Sequence, residues 1–278
     1  VRVAVITLQH VVVDQDPRQA PALLAGLCRL SKTRIKDAMT KGAVWLTRPG
    51  DRRASRRLRR ASTELRVGDR LSLYFDPDIL ALSPPRARVV RDLDHYSVWL
   101  KPAGLLAQGT RFADHCALTR QAELALGRPV FPVHRLDREA SGLMLLAHNR
   151  DAAARLSRLF REGAVDKGYR VQVLGRPAER GLIDLPLDGK PARTHYQVSS
   201  YDELSDRAVL EVRLDTGRLH QIRRHLDALG HPVIGDPRYG KGNKDPNGLR
   251  LVAHVLQLRC PYSGRPLAFQ LAEADIGL

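Results

Sequence analysis

The chain has 278 residues, 43% hydrophobic and 27% charged, a balance that fits about two folded domains and excludes wholesale disorder. Its formal net charge of +16 favours a polyanionic partner, nucleic acid or an anionic surface. No apolar run approaches the ~18 residues a spanning helix needs, and Cys28, Cys116 and Cys260 are too scattered for a disulfide framework or a CxxC metal pair.

In chain order, Val1, Val3 and Val5 alternate and Val11–Val13 follow, so residues 1–19 read as an N-terminal strand segment without a signal-peptide cleavage site. From Ala22 to Lys41 the apolar positions suit two short helices, the second capped by Ser31 and ended by Gly42. Val44-Trp45-Leu46 begins a strand, Arg48–Ser62 is a basic loop or hairpin, and Val67–Arg70 turns into the strand Leu71–Phe75. Between Ser31 and Arg70 thirteen Lys and Arg stand against four Asp and Glu, over half of the net excess, as on a phosphate-contacting surface. Residues 77–91, centred on Pro84-Pro85, read as a linker.

Residues 92–278 form a second domain of short strands with inserted helices, the clearest helix being Asp151–Arg161. Alternation marks strands at Arg170–Leu174, Val209–Leu214 and Leu251–Leu258, so the fold class is α+β with a mainly antiparallel or mixed sheet. Four segments there carry chemistry. KPAGLLAQG (101–109) is a strand end with a Pro-Gly turn. VHRLDREASGLMLLA (133–147) crowds His134, Arg135 and Asp137 before the strand Leu143–Ala147, with Ser141-Gly142 as a tight turn. Read alone, the string favours an Arg135–Asp137 pair that merely shapes the loop. DKGYRVQVLG (166–175) sets Tyr169 at a strand start, where a ring can stack on a base or join the core. DTGRLHQIRRHLDALGHPVIGDPRYG (215–240) combines cations with turn glycines; His220 and His225 are five apart, off one helical face, so no metal site is expected.

The helix pair and basic hairpin closing on VGDRLSLYF resemble the S4-type RNA-binding domain, over residues 20–76. That resemblance nominates Lys32, Arg34, Lys36, Lys41 and the Arg52–Arg60 cluster as RNA contacts. The four later segments together resemble the RluA-type family of RNA pseudouridine synthases, over about residues 92–270. The resemblance implies a catalytic domain with an active-site cleft, Asp137 as the catalytic aspartate, and Tyr169 and Arg223 as active-site partners. It also implies that Arg135 helps fill the space left by an extruded base. Ala140, Leu219, Val171 and Leu100-Lys101 depart from the usual pattern, which touches substrate contacts rather than the reaction.

The reaction so implied breaks the uridine C1′–N1 bond, turns the base and joins C5 to C1′, with no cofactor or metal. Asp137 would act at the sugar as nucleophile or as base, and a guanidinium within salt-bridge reach, the role expected of Arg223, favours the charged carboxylate and orients it. The expected partner is RNA, ribosomal before transfer RNA, for a cytoplasmic monomer without membrane attachment. Two rivals are a non-catalytic RNA-binding or ribosome-assembly factor and a glycosylase. The second needs a placed water and often another carboxylate, and nothing in the sequence sets Glu139 beside Asp137.

Overall fold

The computed structural model describes residues 4–50 and 55–278, which form two compact units. The first comprises the residues up to Pro84 together with Gln108–Gln121. It holds β1 (Ile6–Val11), α1 (Ala20–Cys28), α2 (Lys32–Thr40), β2 (Val44–Thr47), β3 (Arg56–Arg57), β4 (Arg70–Phe75) and α3 (Pro77–Leu80). The strands make one antiparallel sheet in the order β1-β4-β2-β3. Ser31 caps α2 by accepting the Arg34 N–H at 3.3 Å, and Ile35, Ala38 and Met39 enter a core with Leu23, Leu24, Val44, Leu46, Leu71 and Leu73.

Three boundaries differ from the sequence reading. The N-terminal strand is no separate segment, because β1 pairs with β4 from Ile6↔Phe75 to Val11↔Arg70. Residues 77–91 are no bare linker: Asp76 caps α3 through the Asp78 and Ile79 N–H groups, and β5 (Arg88–Asp92) opens the next sheet. Residues 108–121 belong with the first unit because buried Asp114 pairs with both Arg57 and Arg59.

After β5 come β6 (Tyr96–Lys101), α4 (Leu118–Leu126), β7 (Phe131–Pro132), β8 (Ser141–Ala147), α5 (Arg150–Arg161) and β9 (Val165–Leu174). The chain continues through β10 (Arg180–Asp184), β11 (Arg193–Asp202), β12 (Arg207–Leu214), α6 (Gln221–Ala228), β13 (Leu251–Arg259), β14 (Pro266–Gln270) and α7 (Glu273–Ile276). These strands build one sheet ordered β10-β11-β12-β9-β13-β8-β6-β5, with β14 beside β13 and β7 beside β8. Its β13–β8 contact is parallel and the other pairings are antiparallel, so the α+β class with a mixed sheet holds.

Ser141-Gly142 begins β8 instead of forming a turn. A Cβ on Gly142, whose φ is +129°, would lie 2.3 Å from the Ala253 carbonyl oxygen, so glycine is what lets β13 approach. Tyr169 lies in the middle of β9 rather than at its start, because the strand begins at Val165. Asn149 caps α5 by accepting the Ala152 N–H at 2.8 Å, and Leu156 anchors that helix in the core beneath β8 and β13.

Candidate active site

The loop between β7 and β8 carries Asp137, and three contacts hold it. His134 Nε2 accepts the Leu145 N–H at 2.9 Å while its ring stacks on Phe160 at 4.5 Å. Burial, helped by the charge of Lys167, pushes the His134 pKa down to about 3, so it is a neutral clasp on β8. Leu136 and Ala140 are buried on either side of Asp137. From the end of β6, fully buried Lys101 donates to the carbonyls of Pro102 (3.0 Å), Leu105 (2.8 Å), Arg138 (3.3 Å) and Ala140 (2.6 Å). Burial draws its pKa down to about 7, while Asp137 and Glu139 pull it upward. Acceptor-only neighbours suit an ammonium, so Lys101 ties the Asp137 loop to the 102–105 turn.

Opposite that loop, α6 presents Arg223, which is 1% exposed. Its Nε and Nη2 fork onto Asp236 at 2.7 and 2.8 Å, leaving Nη1 to donate to Asp137 Oδ2 at 3.1 Å. Burial opposes charge on Arg223, but the two carboxylates outweigh it and move its pKa upward. Burial likewise disfavours ionised Asp236. Arg223 and the N–H groups of Arg238 (2.8 Å) and Tyr239 (3.1 Å) reverse that and hold its pKa low. A Cβ on Gly235 would fall 1.8 Å from the Gly248 carbonyl oxygen, so only glycine admits the turn that delivers Asp236. Sequence reasoning took this Gly-Asp as turn punctuation. The available signal was that an arginine buried at a helix start needs a carboxylate, and Asp236 follows within the same motif.

Asp137, Tyr169 and Arg223 line a single cleft of about 1510 Å³ together with Arg135, Lys167 and His220. Tyr169 is 8% exposed, and burial together with the Asp137 charge raises its pKa. Arg135 is exposed and makes no ion pair among the described residues, so the loop-shaping Arg135–Asp137 pair is not formed. Glu139, unplaced by the sequence, approaches the same Nη1 of Arg223 at 3.6 Å. The two histidines separate by role. His225 is buried between the Thr194 hydroxyl and the Leu185 carbonyl, both at 2.9 Å, whereas His220 stands at the N-cap position of α6 with its Nε2 3.7 Å from Asp137 Oδ1.

The candidate RNA contacts of the first unit divide too. Lys32, Arg34 and Lys36 are exposed, but Lys41 is held by Asp37 (2.9 Å) and the Leu80 carbonyl (2.8 Å). Arg57 and Arg59 are engaged by Asp114, and Arg52 and Arg53 lie outside the described residues. Among departures from the family pattern, Ala140 and Val171 are buried, and Leu219 is an exposed part of the cleft lining.

Residues 95–228 match a family model described as RNA pseudouridylate synthase. The dual-specificity RNA pseudouridine synthase RluA of Escherichia coli (strain K12) is 36% identical, over 66% of this chain and 90% of that protein. The chain belongs to the RluA-type family of RNA pseudouridine synthases. A ribosomal large subunit pseudouridine synthase D from Nitrosomonas europaea is 31% identical, over 66% of this chain and 61% of that protein. The chain spans about three fifths of the length of two of the curated relatives it matches. Among solved structures, human RNA pseudouridylate synthase domain containing 4 superposes with a TM-score of 0.55 at 26% identity, over 66% of this chain and 87% of that one.

Proposed function

We propose that this chain converts uridine to pseudouridine in structured RNA, with large-subunit ribosomal RNA favoured over transfer RNA. The observation that carries the reading is the Asp137 carboxylate at 3.1 Å from a guanidinium which a second, buried carboxylate fixes, on the wall Tyr169 also lines. The target base must leave its stack, at a cost of a few kcal/mol offset by contacts in the cleft. Tyr169 stacks on the extruded uracil and Arg135 helps fill the gap it leaves. Asp137 acts at the ribose, as nucleophile at C1′ or as the base that starts glycal formation. The C1′–N1 bond breaks and C5 joins C1′; the C5 proton passes to solvent and N1 takes up a proton, so the product is an isomer of uridine.

The ribosomal preference draws on the name of the Nitrosomonas europaea relative, which is 31% identical, and on the first unit, which we read as S4-like. Exposed Lys32, Arg34 and Lys36 on α2 contact RNA phosphates there. A monomer working in a reducing, cytoplasmic setting suits three free thiols.

Glu139 beside Arg223 gives the glycosylase rival the second carboxylate it lacked in sequence. RNA tritiated at uridine C5 separates the alternatives. The isomerase releases label to water and leaves an intact strand, which is the expected result. Free uracil and abasic sites identify a glycosylase, and binding with neither product identifies an RNA-binding factor.

A further inference from the structure

His220 is a histidine in a backbone conformation it does not favour. Its φ of 52° and ψ of 31° are left-handed, an arrangement that is uncommon for residues other than glycine and clusters at functional sites. It occupies the N-cap position of α6 yet makes no side-chain cap hydrogen bond, so helix capping does not account for it. The left-handed turn directs its ring back into the cleft. Nδ1 lies 3.1 Å from the Tyr239 hydroxyl, and Nε2 lies 3.7 Å from Asp137 Oδ1, the oxygen that Arg223 leaves open.

These contacts select a tautomer. A neutral imidazole has one N–H and one lone pair, and a lone pair on Nε2 would face an anionic carboxylate oxygen. The favoured arrangement has the Tyr239 hydroxyl donating to Nδ1, which leaves the proton on Nε2 aimed at Oδ1. Tyr239 is itself fixed. Its N–H donates to Asp236 Oδ1 at 3.1 Å, and its ring lies 5.3 Å from the Arg223 guanidinium carbon. Asp236 thus anchors both arms that reach Asp137: Arg223 to Oδ2, and Tyr239 through His220 to Oδ1. Arg238, Glu139 and Arg223 are the other charged groups acting on His220.

We propose that His220, with its tautomer set by Tyr239, is a positioning residue that donates to Asp137 Oδ1 when RNA fills the cleft and fixes which way the carboxylate faces the ribose. This rests on the pseudouridine synthase reading. The 3.7 Å separation is longer than a hydrogen bond, and closing it takes under 1 Å. The companion contact through Arg223 is already formed, so His220 is the arm that completes the orientation.

The test uses His220→Asn, His220→Gln, Tyr239→Phe and the His220→Asn/Tyr239→Phe double variant, assayed for tritium release and for RNA affinity. Asparagine tolerates the left-handed backbone but places its amide near Nδ1, short of Asp137, whereas glutamine brings an N–H near the Nε2 position. The proposal expects His220→Asn to lose about tenfold to a hundredfold in kcat with RNA affinity within about twofold. Glutamine should restore part of that loss. Tyr239→Phe keeps the ring over Arg223, so it should lose less, and the double variant should lose no more than His220→Asn alone. It is overturned if His220→Asn turns over within twofold of the parent, if the loss is in RNA affinity with kcat intact, or if the two losses multiply. A parent protein that releases no tritium removes the pseudouridine synthase reading first, and this inference falls with it.

Discussion

The two units handle positive charge in opposite ways. On α2 of the first unit Lys32, Arg34 and Lys36 are exposed and make no ion pair among the described residues. In the second unit Lys101 and Arg223 are buried, the one by four carbonyls and the other by Asp236 and Asp137. An exposed cation interacts through water at long range, is screened by salt and shares its work with neighbours. A buried cation is worth having only where each partner is in place, and losing one partner strands the charge. The first arrangement suits gathering a polyanion, and the second suits holding one carboxylate in one orientation.

The sharpest way to break this contrast is Asp236→Asn, which leaves Arg223 in place without its main counter-charge. Stability should fall by about 3–5 kcal/mol in urea denaturation, and the folded fraction should lose at least a hundredfold in turnover. A loss under 1 kcal/mol would mean that the buried pair is not what fixes Arg223. The Lys32→Ala/Arg34→Ala/Lys36→Ala triple variant should behave in the opposite way. Its RNA affinity should drop and the salt dependence should become shallower by roughly 0.7–0.9 per lost phosphate contact, with kcat at saturating RNA unchanged. Reduced kcat in the triple variant would merge the two classes.

A smaller effect sharpens the contrast at His134. Its pKa is lowered from 6.5 to about 3, so the folded protein keeps it neutral where the unfolded chain binds a proton. Stability from this residue is complete above about pH 6.5 and is lost as the pH falls toward 3. His134→Gln can still accept the Leu145 N–H but does not titrate. Urea midpoints measured between pH 7 and pH 4 should therefore fall less steeply in that variant than in the parent.

Local chemistry was legible in the sequence, and long-range pairing was not, apart from the Arg223–Asp137 contact that the family resemblance implied. Ser31 as a cap and the helix pair around it follow from residues within a few places of one another, whereas Asp137 and Arg223 were nominated by the family resemblance of four segments taken together. Asp236 acquires its role only when α6 folds back, because it meets Arg223 across 13 residues while Arg223 meets Asp137 across 86. Lys101 was read as a strand end because the Ala140 carbonyl it binds lies 39 residues away. Gly142 was taken for a turn because its crowding comes from Ala253 on a different strand. Residues 108–121 were assigned to the second domain for the same reason, since the Asp114–Arg59 contact spans 55 residues. Glu139 was visible as a residue but not as a neighbour of Arg223.

The most direct test of the central claim is Asp137→Asn, measured in parallel for tritium release and for RNA binding. The exchange replaces one carboxylate oxygen with an amide and changes little else in the cleft. The account predicts no detectable turnover, with RNA affinity within about twofold of the parent because the surrounding contacts remain. Full turnover in that variant, or lost binding as the sole defect, would contradict it.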